Sequence, residues 1–184
     1  MVYESYPWKQ DLLRRKQLIL KYNTAESFSK NENKAYTIIE KGVFYSAFII
    51  RKLIDCFGKV SDDADRYTLK AKEIKTLKHM DLLHRWPEED SHDWENEKSI
   101  ILPGKNVCNM LIHSYIFFFS YNEDGTVTDF FVSSDYDKNK ALYKISLIDW
   151  LMYTDFIGRD YVQSLGYSYC EKKGDYNIIK TKRH

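Results

Sequence analysis

Glycine, proline and cysteine are all scarce in this chain, with seven, three and three copies among 184 residues. So few glycines leave little room for a phosphate-cradling loop, and neither G-x-x-x-x-G-K-[ST] nor G-x-G-x-x-G occurs. Cys56, Cys108 and Cys170 lie far apart without a C-x-x-C pair, which argues against a cysteine-built zinc site. An odd number of thiols and an N-terminus unlike a signal peptide point to a reducing compartment, so the expected location is cytoplasmic. The longest apolar run, Val43 to Ile50, falls far short of the ~20 residues of a membrane span, so no membrane association is expected. Neither charge dominates: 28 basic residues face 27 acidic ones, and a net charge of +1 gives no global attraction to nucleic acid. No G-x-S-x-G elbow and no DNA-reading motif appears. No cofactor or metal is expected.

What the chain does have is rings. Aromatic residues make up 16% of it, 15 of them tyrosines, and these should dominate the packing. With 43% hydrophobic and 30% charged residues, the composition is that of a folded α+β domain spanning residues 1–184. Its front, to about residue 113, reads as helical. Residues 8–22 carry Trp8, Leu12, Ile19 and Tyr22 at helical spacing. Residues 23–33 read as a loop, with Asn33 capping the next helix. Residues 34–57 form that helix, long and central, striped by Ile39, Val43, Ala47, Ile50, Ile54 and Phe57 and ended by Gly58. The segment 59–99 is ambiguous, although Tyr67, Leu69 and Ala71 alternate as in a short strand.

The back, about 114–184, reads as a three-stranded antiparallel meander and a C-terminal helix. Strands at 115–121, 126–133 and 142–145 are joined by Asn122-Glu123-Asp124-Gly125 and by a turn at 134–140. Apolar groups on both faces of the first strand mean that it is covered on both sides or central in its sheet. Ser146 and Asp149 resemble a capping box for the helix carrying Trp150, Leu151, Tyr153, Phe156 and Ile157. The tail from Tyr167 can close as a small hairpin.

The organising stretch runs from Lys105 to Tyr121, a short helix leading into a strand. Residues four apart share a helix face, so Lys105, Asn109 and His113 form one polar stripe. Cys108-Asn109-Met110-Leu111-Ile112-His113 resembles the Arg-Asn-x-x-x-His signature of the HEPN superfamily, helical domains found in ribonucleases and in bacterial defence or toxin systems. Asn109 and His113 match, and Cys108 stands where the family's arginine would be. In active members the resemblance implies metal-independent RNA cleavage at a dimer seam. Without the arginine the rigid bidentate phosphate clamp is gone, and Lys105 offers only a point charge. The reading is therefore a non-catalytic HEPN-like binding protein in a defence or mobile-element setting, acting on a protein partner or as a homodimer. The alternative is a ribonuclease in which His113 is general acid or base, Asn109 orients it and Lys105 holds phosphate. Purely structural uses compete with both: a histidine at a helix end caps carbonyls, and a buried asparagine bonds backbone.

Three other features invite chemistry. Arg14-Arg15-Lys16 reads as a solvated helix face rather than a phosphate contact. Arg51 lies four residues before Asp55 and pairs with it on the outer face, rather than folding toward His113 as the missing cation. His79, His84 and His92 sit among carboxylates, but His79 and His84 diverge on a helix by about 140° and Pro87 interrupts. That segment reads as a polar surface loop pinned by Trp86 and Trp94. A last possibility is a small-molecule pocket between the aromatic sheet face and helix 34–57.

Overall fold

The computed structural model describes residues 2–183, with side chains through Asn177. Its first two helices are α1 (Ser5–Tyr22) and α2 (Ala25–Asp55). The segment expected as a loop before residue 34 is mostly helical. Thr24 accepts the Ser27 N–H at 3.2 Å and starts α2 there. Asn31 alone departs from helical geometry, and its Oδ1 caps Lys34 N–H at 2.9 Å, so Asn31 takes the role expected of Asn33. The reason is tertiary: Phe28 packs edge-on against Tyr121, with ring centroids 6.0 Å apart, and holds a polar run helical.

Along α2 the apolar stripe is buried at Ile39, Val43, Ala47, Ile50 and Leu53. Phe57 lies beyond the helix and is exposed. A single turn, α3 (Asp62–Asp65), comes next, capped by Ser61.

The sheet is larger than expected. Strands β1 (Thr68–Lys75), β2 (Lys98–Pro103), β3 (Ser114–Tyr121), β4 (Val127–Ser134) and β5 (Ala141–Ser146) form five antiparallel strands in the order β2-β1-β5-β4-β3. The three-stranded meander is thus only the β3-β4-β5 part. A meander ending at β5 would leave a row of unpaired backbone groups along that strand. β1 covers them, through pairs such as Lys72 with Lys144 and Ile74 with Leu142. The front half is therefore not purely helical. The short alternation in β1 has a cause: Leu69 and Ala71 face the helices, while Ile74 belongs to a second cluster with Met80, Ile116, Phe131 and Leu142.

Helix α4 (Gly104–Ile112) carries the chain from edge strand β2 to edge strand β3. Helix α5 (Leu147–Gly158) begins at Ser146, whose hydroxyl accepts the Asp149 N–H at 3.5 Å. The C-terminal structure is strands rather than this helix, and the hairpin expected from Tyr167 begins five residues earlier, at Val162. This separate hairpin, β6 (Val162–Cys170) and β7 (Asp175–Arg183), lies C-terminal to α5. Among the described residues no helix is long and apolar enough to cross a membrane.

β3 is an edge strand, not a central one, but both of its faces are covered. On one, Phe117 and Phe119 meet Phe44 and Tyr36 of α2 at 4.6 and 5.4 Å between centroids. Rings therefore fill the space where a small-molecule pocket between the sheet and this helix would lie. On the other, Phe118 stacks on Phe131 of β4 at 4.6 Å and 8°. Residues 76–97 roof this second face. Leu77 N–H donates to Ser91 O at 2.8 Å, Asp93 N–H to Lys75 O at 2.9 Å, and Met80 N–H to Asn139 Oδ1 at 2.7 Å. Beyond the roof the same sheet face bears Lys70, Lys72 and Lys144, the last 3.9 Å from Glu97.

Candidate functional site

Of the stripe, Lys105 and Asn109 lie on α4 and His113 is the residue just past its end, and the helix's position begins with Gly104. A Cβ there would stand 2.4 Å from Cζ of buried Tyr153, so only glycine lets the helix start this close to α5. Val107, Cys108 and Leu111 bury the apolar side of α4 completely. The polar side meets α2. Arg51 Nε donates to Asn109 Oδ1 at 2.6 Å, and Lys105 Nζ lies 3.6 Å from Asp55 Oδ1. Arg51 also ion-pairs with Asp55, the i,i+4 partner expected from sequence. Two residues of the stripe are therefore engaged in a four-membered clasp between α2 and α4.

His113 is the third, and it is exposed. Its backbone is fully used: the N–H donates to Asn109 O at 3.0 Å, and the carbonyl accepts from Asp135 N–H at 3.1 Å. No hydrogen bond is made to its ring among the described residues, so the imidazole neither caps a helix nor satisfies a buried group. It opens on a cavity of about 570 Å³ lined also by Asn106, Asn109, Asp135, Asp137 and Tyr143. The cavity's charges are carboxylates. Lys138 is bound to Asp135 at 2.7 Å and lies 4.0 Å over the Tyr115 ring, and Lys140 is 4.0 Å from Asp137. Neither Lys105 nor Arg51 lines the cavity. Cys108, at the position of the missing arginine, is wholly buried, and burial pushes its thiol far above the ordinary range.

The other candidates separate in space. Lys16 pairs with Asp155 at 2.8 Å, and Arg15 lies 3.5 Å from Asp11 and 4.8 Å over the Tyr45 ring. His84 bonds Asp81 at 3.0 Å on the surface, whereas His92 is buried with Nδ1 2.8 Å from Ser91 Oγ and no partner on Nε2. Burial holds the His92 imidazole below its ordinary value. Among the described residues no three metal-ligating side chains converge.

Two groupings carried no sequence signal. Lys9 and Asp160 are fully buried together, the Lys9 ammonium bonded to the Asp160 carbonyl. The Asp160 carboxylate accepts from both the N–H and the hydroxyl of Ser61 at 2.7 Å. The second is a slot of about 440 Å³ lined by Trp86, Trp94 and Phe118. Both depend on residues far apart in the chain. Compared with protein-family models, with curated proteins and with solved structures, the chain matches none.

Proposed function

We propose that this chain is a non-catalytic binding protein. The observation that carries the reading is the use made of the α4 stripe: Asn109 and Lys105 are tied to Arg51 and Asp55 of α2. His113 is left beside Asp135 and Asp137, which are already paired with Lys138 and Lys140, and no lysine or arginine lines its cavity. A general acid or base there has no unpaired lysine or arginine lining the cavity to hold its substrate. The contact surface fits the roof segment, where Leu82, Leu83 and Trp86 are 74%, 87% and 69% exposed. The relation to HEPN-like domains, and the bacterial defence or mobile-element setting that comes with it, is proposed on Asn109 and His113 alone. The helix that carries Asn109, with His113 just past its end, is nine residues long and lies between two strands.

The ribonuclease alternative has one observation in its favour. The Arg51 guanidinium bonds Asn109, so a rigid cation stands one turn from His113 along α4 even though Cys108 replaces the family's arginine. Incubation with mixed RNA in EDTA separates the readings. Intact RNA with both wild type and His113→Ala is expected, and RNA decay that the substitution abolishes would overturn the binding reading.

A further inference from the structure

The slot at Trp86 and Trp94 has features of a cation receptor rather than of a generic greasy cleft. It is lined by two indoles, by Phe118 and by Pro87. Trp86 meets Phe118 with centroids 5.8 Å apart at 44°, and Trp94 meets Phe131 edge-on at 6.1 Å. Phe118 and Phe131 are themselves stacked, so both tryptophans stand on one rigid aromatic base. Aromatic faces carry negative electrostatic potential and attract soft, weakly hydrated cations.

Charge supports the same occupant. Glu88 and Glu89 complete the lining, and no lysine or arginine belongs to it. Neither glutamate makes an ion pair among the described residues. The nearby cation Lys78 is already bound to Asp90. Two exposed, unpaired carboxylates beside an aromatic slot repel an anion, leave a neutral guest unaffected and attract a cation.

The site is also held in shape without a guest. Trp94 Nε1 donates to Glu88 O at 3.2 Å, which fixes one wall to the rim. Ser91 clamps the turn between them: its hydroxyl donates to Glu88 O at 2.7 Å and accepts Glu88 N–H at 2.8 Å. Its volume lies within the roughly 300–1,000 Å³ of small-molecule sites. Preorganisation of this kind lowers the ordering cost of binding.

We propose that the slot formed by Trp86, Trp94 and Phe118, with Glu88 and Glu89 at its rim, binds a quaternary or methylated ammonium group. The inference goes beyond the binding role argued above and does not depend on His113 or on the absence of RNA cleavage. The head group can arrive on a small molecule or on a methylated lysine, and the chemistry recognised is the same.

The test uses the full chain and titrates it with choline, with Nε-trimethyl-lysine amide and with 3,3-dimethylbutan-1-ol, a neutral shape mimic of choline. Tryptophan fluorescence and calorimetry report binding. Saturable binding of at least one cation is expected, with the neutral mimic about 2- to 5-fold weaker, the range set by a solvent-exposed cation–π contact. The tighter of the two cations identifies the source of the head group. Trp86→Ala should weaken cation binding by a similar factor without lowering the melting temperature, because Trp86 is 69% exposed. The double substitution Glu88→Gln, Glu89→Gln should weaken the cations and spare the neutral mimic. Equal binding of mimic and cation, no saturation with either cation at millimolar concentration, or full affinity in both variants would each overturn the proposal.

Discussion

Removing the Asp160 carboxylate should cost more stability than any other single polar deletion in the molecule. Asp160 and Lys9 are 0% and 1% exposed, and Ser61 beside them is 1% exposed. In Asp160→Ala two bonds from Ser61 are lost, each to a charged acceptor and worth about 1.5–3 kcal/mol. The Lys9 ammonium keeps its bond to the backbone carbonyl of residue 160 but loses the nearby carboxylate charge that offsets its burial. The two lost bonds together come to about 3–6 kcal/mol, which for a chain of this size lowers the melting temperature by roughly 6–24 °C. Burial already holds Lys9 below its ordinary 10.5, and Asp160 is the charge that opposes this. Without Asp160 the folded-state value falls further, while the unfolded value does not move. Folding then releases the Lys9 proton, so the variant's deficit should narrow as the pH rises toward 10.5. Adding Lys9→Met to Asp160→Ala should recover part of the loss, since replacing both charges with apolar groups is often near neutral. Urea unfolding of the two single variants and the double one gives the coupling directly. A loss below about 1 kcal/mol for Asp160→Ala, or strictly additive effects, would refute the coupling of these two buried charges.

The same packing sets three further outcomes. His92 is buried and held below 6.5, so its contribution is complete above that pH and is lost as the pH falls from 6.5 toward the folded value; melting curves across this window should flatten in His92→Gln. Tyr153 buries a hydroxyl with no partner, so Tyr153→Phe should leave the melting temperature unchanged or raise it, whereas Gly104→Ala drives a methyl into the same ring and should cost about 1–3 kcal/mol. Of the three thiols only Cys108 is wholly buried, so a disulfide reagent should titrate Cys56 and Cys170 in the native protein and reach Cys108 only after denaturant is added.

The long-period features were legible. Ile39, Val43, Ala47 and Ile50 mark a helix stripe that stays buried whatever surrounds it. Gly125 takes φ of +81° in the turn between β3 and β4, where the Asn-Glu-Asp-Gly sequence placed it. The Arg51–Asp55 pair is local and was visible as an i,i+4 spacing. The bond from Arg51 to Asn109 was not, because it spans 58 positions and joins two helices. β2 was missed for a related reason. Its run Ile100-Ile101-Leu102 is too short to declare a period, and as an edge strand it leaves Ile101 69% exposed.

Sequence by itself therefore determined the pieces whose stability is local: the striped helix, the hairpin turn and the capped start of α5. Only tertiary structure decided how many strands share the sheet, which side of α4 meets α2, and that Trp86 and Trp94 stand over the same stacked pair of phenylalanines. Helix period and turn chemistry are written in neighbours a few residues apart. Sheet order, buried charge pairs and aromatic slots are set by groups that meet only after collapse, and nothing in their local sequence records the partner.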